Sequence, residues 1–396
     1  MQKPRIDQFS HAQDIQTRAF VEYSRLIETT DVGKKALEEI EADARAQNLN
    51  GRMISTGNGA SRFEPKTLAM WHVWAINEFG EETARNNLDR YLDSNEVPVL
   101  SVLWVLGIEV AETIELTHGL KIVPAYQMPD SREKEHYLKH DFHVLGHQHP
   151  KPKSAIVFET SVRRDFDPEE DPAQGFDQDK EFWDASKLLY ETSLALNVIE
   201  NVSCIPYFST SYTLPSLPIG LFGGSGGGFS LHDVIGHSTT KISAEQAVEI
   251  NQVLDSFFAL DEAEKKRFHR ILSRLSQSKR RHQIEDKLLD LGIALEMALL
   301  EDNRNNQQLS LSFRLRGAWL IAKDAEQRAE VYRQLRTIYE HRSQVAHSGV
   351  LCGNDNEKIN AVNERYPEFC NLAEKILHKL ICEGKPEWSK LLLGII

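Results

Sequence analysis

Apolar residues recur at helical spacing toward both ends of the chain and give way to β-branched runs in its middle. Residues 1–50 read as helical, with Phe20, Tyr23, Leu26 and Ile27 on one stripe. A charged helix over 32–47 follows, and Asn48-Leu-Asn-Gly51 breaks it. A second helical stretch over 65–91 carries Trp71 and Trp74. From 97 to 124 the residues Val97, Val99, Val102, Val105, Ile108, Val110, Ile114, Ile122 and Val123 predict strands, with Thr117-His-Gly-Leu120 as a turn. Another strand is expected over 154–162. The acidic stretch 165–181, with two prolines, reads as a loop, and 182–199 returns to helical spacing. Aromatics and three prolines over 205–219 suit an irregular, edge-strand-like segment. Phe222-Gly-Gly-Ser-Gly-Gly-Gly-Phe229 is not followed by the Lys-Ser or Lys-Thr of a phosphate loop, so a flexible loop or hinge is expected. Ser243 is the expected N-cap of the first of several helices that run to the end, with breaks near 302–306, 348–349 and 353–356.

This pattern predicts an α+β chain in three parts. Residues 1–60 form an N-terminal helical segment. Residues 61–240 form a mixed α/β module, expected to regulate or sense. Residues 241–396 form an all-α helical domain.

A length of 396 residues accommodates two or three domains, and 41% hydrophobic with 27% charged residues is the balance of a soluble globular protein. The net charge of -13 argues against nonspecific coating of nucleic acid but leaves room for a local basic channel. Cys204, Cys352, Cys370 and Cys382 form no CxxC pair, which suits free thiols in a reducing cytoplasm. The first residues, Met-Gln-Lys-Pro-Arg-Ile-Asp, lack the apolar core of a signal peptide. No run approaches the roughly 18 apolar residues of a membrane helix. The apolar end Leu391-Leu-Leu-Gly-Ile-Ile396 is expected to pack on the body or on a partner.

Against the acidic background, 264–282 holds Lys265, Lys266, Arg267, Arg270, Arg274, Lys279, Arg280 and Arg281 beside a single acid. That reversal reads either as a solvated helix face or as a track for an RNA backbone. His136, His140, His143, His147 and His149 fall within fourteen residues. Spacings of three and four could hold a metal on a helix, but no HExxH is present, and a polar segment without metal is the expectation.

The end of the helix expected over 325–347 holds Arg342-Ser-Gln-Val-Ala-His347, with Gly349 as a left-handed stop. Five residues at 100° each place Arg342 and His347 about 140° apart, so one helix makes a poor site and two meeting across a symmetric dimer make a better one. Upstream lie Glu285-Asp-Lys-Leu-Leu-Asp-Leu-Gly-Ile-Ala-Leu-Glu296, Leu309-Ser-Leu-Ser-Phe-Arg-Leu-Arg316 and Tyr332-Arg-Gln-Leu-Arg-Thr-Ile-Tyr-Glu-His-Arg342.

This succession, over about 244–385, resembles the Apea-like branch of the HEPN superfamily. That pattern runs from an Ile-Ala-Leu-Glu helix, through a Ser-Phe-Arg-Leu helix, to a helix ending Arg-Ser-x-x-x-His. The chain departs from it where Arg316 is only loosely in register with a second arginine of the pattern and where Gly349 follows His347 by two residues rather than one. The resemblance implies a helical bundle that dimerises and cuts RNA with no metal or other cofactor, leaving a 2′,3′-cyclic phosphate and a 5′-hydroxyl. It also implies a place in bacterial anti-phage defence by abortive infection, under a phage-derived or cellular trigger. Arg342 and His347 are the implied catalytic pair, with Glu296, Ser343, Arg314 and Asp290 in support.

The chemistry suits those residue types. RNA brings its own nucleophile, the 2′-hydroxyl, and needs a base, an acid and a fixed cation for the charge that builds on phosphorus. Histidine titrates near neutrality, and arginine offers phosphate a planar fork. Glu296 lies in an apolar run and needs a partner, which Arg342 or Arg314 could supply. The alternative function is a non-catalytic HEPN-type protein that binds RNA or a nucleotide. A third reading makes the histidine-rich segment a metal hydrolase site.

Overall fold

The structure is a computed structural model that describes residues 15–55, 60–129, 134, 143–144, 147–148, 151–167, 169, 174–214, 216–218, 225–228, 239–301 and 308–394. The chain is α+β, with a mixed N-terminal part and a helical C-terminal region. In chain order the elements begin with α1 (Ile15–Thr29), α2 (Asp31–Ala42), α3 (Ala44–Gln47), β1 (Met53–Ser55), β2 (Ala60–Arg62), α4 (Pro65–Phe79) and α5 (Glu81–Asp93). There follow β3 (Glu96–Leu106), β4 (Ile108–Glu109), β5 (Ile114–Glu115), β6 (Leu120–Pro124), β7 (His143–Val144), β8 (His147–Gln148), β9 (Ser154–Arg163), β10 (Asp165–Phe166) and α6 (Gln174–Ala195). Next come β11 (Ile205–Thr213), β12 (Ser225–Gly228) and β13 (Thr240–Lys241). The series ends with α7 (Ala244–Phe258), α8 (Glu262–Arg280), α9 (Ile284–Leu299), α10 (Leu309–Ile321), α11 (Ala325–Ser348), α12 (Asn356–Glu383) and α13 (Trp388–Leu393).

Two compact units divide the chain. One takes residues 1–104, 119–190 and 206–229, and the other takes 105–118, 191–205 and 230–396. In the first unit, α1, α2, α4 and α5 bury one apolar cluster that includes Tyr23, Ile27, Ile40, Leu68, Trp71 and Tyr91. The stretch expected as one helix over 65–91 is two, because Gly80 takes φ of 86°, where a side chain would be strained. Arg45 gathers Asp43, Asp89 and Asp93 and so ties α3 to α5. A small antiparallel sheet runs β10-β1-β2. A larger one contains the neighbours β12-β11-β3-β9-β6. β9 pairs antiparallel with β6, Ile156 opposite Ile122. The residues of β3 from Val99 onward are buried without alternation, the mark of a strand covered on both faces.

Three expectations are corrected here. The acidic stretch 165–181 is a loop only in part, since α6 begins at Gln174. β11 is an inner strand rather than an edge, because β12 pairs with it on the outside. β12 comes from the glycine-rich stretch expected as a loop: Ser225–Gly228 runs antiparallel to β11, with Gly228 opposite Phe208. Ladder bonds supplied by a distant strand outweigh the low strand propensity of glycine.

The second unit is chiefly helical. Ser243 caps α7 through a full capping box, accepting from the Gln246 N–H while the Gln246 side chain accepts from the Ser243 N–H. α9 packs against α8, α10, α11 and α12. Its buried Ile284, Leu288, Leu291, Ala294, Leu295 and Ala298 form a stripe about 120° wide, and the buried Asp290 and Gly292 widen it to about 200°, as a central helix requires. Between α8 and α12 lies a buried ion pair, Lys279 to Glu374 at 2.8 Å. Lys279 also donates to the carbonyls of Asn197 and Val202, and Glu374 accepts from the Asn201 N–H. These bonds fasten segment 191–205 onto the helices and leave neither charge unpartnered. Nearby, the Tyr366 hydroxyl donates to the Ser278 carbonyl at 2.8 Å, and burial pushes the Cys370 thiol up to about 11. Among the described residues no helix is long and apolar enough to cross a membrane.

Candidate functional site

Asp324 opens α11 by accepting from the Gln327 N–H. Leu335, Ile338 and Val345 seat its inner face. Gly349, at φ of 70°, closes it by donating to the Val345 carbonyl. Arg342 and His347 therefore both lie near the helix's C-terminal end.

Arg342 sits against α9. Its stem crosses the helix at Gly292, where an added Cβ would lie 2.5 Å from Arg342 Cγ. One turn on, Glu296 Oε2 meets the Arg342 guanidinium at 2.7 Å, and both side chains are about three-quarters buried. Burial raises the Glu296 carboxyl above its ordinary value, and Arg342 offsets only part of that rise. Arg342 Nε is buried and makes no hydrogen bond, so the glutamate orients the guanidinium without occupying all its donors. Ser343 is half-buried beside it. His347 is exposed and shares no hydrogen bond or ion pair with Arg342.

The other expected supports stand elsewhere. Arg314 donates to the Ser310 carbonyl on its own helix, and its guanidinium lies over the Tyr332 ring at 4.9 Å, so Arg342 is the partner of Glu296. Asp290 is buried and takes Arg274 at 2.7 Å and Arg281 at 3.1 Å, joining the end of α8 to α9. Arg316 donates to the Leu299 carbonyl and lies over Trp388.

The basic stretch on α8 is largely engaged within the unit. Lys279 faces inward to Glu374, and Arg267 is buried with Glu264 and Glu301. Lys265 pairs with Glu262 at 3.7 Å, and Arg280 is half-buried. Lys266 and Arg270 are exposed.

His136, His140 and His149 lie outside the described residues. His143 and His147 stand on the antiparallel β7–β8 ladder rather than on a helix, so the helical spacing expected for His140 and His143 does not apply. Among the described residues, no three or more His, Cys, Asp or Glu side chains are grouped to hold a metal.

A groove of about 560 Å³ opens beside α12. Its Glu374, Glu249 and Glu383 are held by Lys279, His378 and Lys379, and neither Arg342 nor His347 lines it.

Sequence reasoning missed Gly292 and the aromatic partners of the arginines. A glycine inside an apolar helix was a usable signal, because it costs helix stability unless something approaches closely.

Compared with known proteins, the chain matches no family model, no curated protein and no solved structure.

Proposed function

We propose that the helical unit is a metal-independent endoribonuclease that works as a homodimer, under a trigger, in bacterial anti-phage defence. The observation that carries this reading is the Arg342–Glu296 pair seated at Gly292, with the exposed His347 five residues on. The glutamate fixes the direction of a permanent cation, and the cation retains donors for a phosphate. The His347 imidazole at the exposed end of the same helix supplies a group that can take or give a proton.

Arg342 and His347 face about 140° apart, so one α11 cannot close both on one phosphate. Two α11 helices related by a twofold axis supply two arginines and two histidines, enough for one base, one acid and a cationic clamp. The 2′-hydroxyl is the nucleophile in this scheme, so DNA is not cut.

The test is expression in bacteria of wild type, Arg342→Ala and His347→Ala, with and without phage, and RNA integrity read on a gel. The reading requires RNA fragmentation by wild type and its loss in both folded variants. Identical behaviour of all three would leave a non-catalytic binding protein.

A further inference from the structure

On α10 and α11, two arginines lie over aromatic rings, and among the described residues neither pairs with a carboxylate. Arg328 sits 3.8 Å from the centroid of Trp319, and Arg314 sits 4.9 Å from that of Tyr332. The Nε of Arg328 is buried without a hydrogen bond, and among the described residues Arg314 bonds a carbonyl of its own helix alone. All four residues are half-buried, so part of each stack is open to solvent. On α8 and at its C-cap, by contrast, Arg267, Arg274, Lys279 and Arg281 are matched to carboxylates. In a chain of net charge -13, two unmatched guanidiniums on one helix hairpin are a local reversal of charge.

One member of each stack, Arg328 and Tyr332, stands on α11 and so connects the stacks to the candidate site. At 100° per residue, Tyr332, Arg336, Ser343 and His347 lie within about 60° of one another around the helix, and Arg328 about 40° to the side. At ~1.5 Å per residue, Tyr332 and His347 stand ~22 Å apart along it. Arg336 pairs with Glu340, but that pair is well exposed and gives way to a phosphate at little cost.

We infer that the hairpin of α10 and α11 is a binding face for single-stranded RNA. The two arginine-on-aromatic stacks take bases and phosphates, and the strand runs along α11 past Arg336 to His347. A guanidinium already held over a ring offers a base a platform to stack on and a phosphate oxygen its N–H edge, and such stacking is tolerant of sequence. Rigid duplex offers no exposed base face to these platforms. The nature of the ligand rests on the ribonuclease reading, and the placement of the face rests on the two stacks.

The experiment measures binding rather than cutting, so the two readings can fail separately. A short fluorescent oligoribonucleotide, 2′-O-methylated throughout, binds without supplying a free 2′-hydroxyl and is titrated into the full chain by polarisation. The pair Arg314→Gln and Arg328→Gln is expected to weaken binding at least tenfold and to flatten the salt dependence, at ~0.7 of slope per lost phosphate contact. The exposed pair Lys266→Gln and Arg270→Gln on α8 is expected to change it less than twofold. Arg314→Lys with Arg328→Lys is expected to restore the salt slope but not the full affinity, since lysine keeps the charge and loses the plane. Unfolding midpoints near wild type confirm that the variants fold. The inference is overturned if the glutamine pair binds as wild type does, if the α8 pair causes the loss, or if duplex binds as well as single strand. Binding that behaves as expected in a chain whose cleavage ignores Arg342 and His347 sinks the ribonuclease reading alone.

Discussion

Gly292 of α9 and Arg342 of α11 touch so closely that no larger residue fits between them: a Cβ on Gly292 would lie 2.7 Å from Arg342 Cβ and 2.5 Å from its Cγ. Gly292→Ala therefore pushes α11 and its arginine away from Glu296. Overpacking of this kind costs ~1–3 kcal/mol, less the small helix-propensity gain of alanine. The urea midpoint should fall accordingly. Displacing Arg342 by about 1 Å should lower RNA cleavage by about 100-fold. An unchanged midpoint with unchanged cleavage would mean that α11 has room to spare at this crossing.

The raised Glu296 carboxyl has a pH signature. In the unfolded chain it titrates near its ordinary value of 4.5, and in the folded chain above it. Between the two, the folded chain binds a proton that the unfolded chain has released. Stability contributed by this group is thus present at low pH and declines as pH rises through that window. The difference in urea midpoint, wild type minus Glu296→Gln, should fall from about pH 4 to about pH 8. A difference that rises with pH would show that Arg342 attracts the carboxylate more than burial disfavours it.

Lys279 and Glu374 form a buried pair, so removing one member strands the other. Lys279→Ala should cost ~3–5 kcal/mol, seen as a large drop in thermal midpoint, whereas Lys266→Ala on the exposed face should be near neutral. Lys279→Met combined with Glu374→Leu should recover much of the loss. Equal, small effects at Lys279 and Lys266 would contradict the inward placement of Lys279.

The four thiols should divide by burial. Cys204 and Cys370 are buried and pushed up, while Cys352 and Cys382 are half-buried, Cys382 being pushed up by its partial burial. A thiol reagent at mildly alkaline pH should modify Cys352 and Cys382 in the native chain and reach Cys204 and Cys370 only in denaturant. Native labelling of Cys370 would show that the α8–α12 contact opens readily.

Local chemistry made much of this chain readable. The N-cap at Ser243, the stop at Gly349 and the run of helices between them rest on spacing and capping, which short windows contain. The pairing of Glu296 with Arg342 was one of two options set by the need of a carboxylate in an apolar helix. What short windows do not contain is pairing across distance. β12 is a strand only because β11 lies beside it, and Lys279 is inward only because Glu374, 95 residues later, meets it. Charge counting along 264–282 could not separate cations that face solvent from those that hold the bundle together. The stacks of Arg314 and Arg328 were hidden for the same reason, since their aromatic partners sit on the neighbouring helix.

The most direct measurement is cleavage of a single-stranded RNA by the purified full chain in excess chelator, with product ends identified. The account predicts products with 2′,3′-cyclic phosphate and 5′-hydroxyl ends, unaffected by chelator and lost in Arg342→Ala and His347→Ala. Cleavage that stops with chelator, or that survives both substitutions, would contradict it.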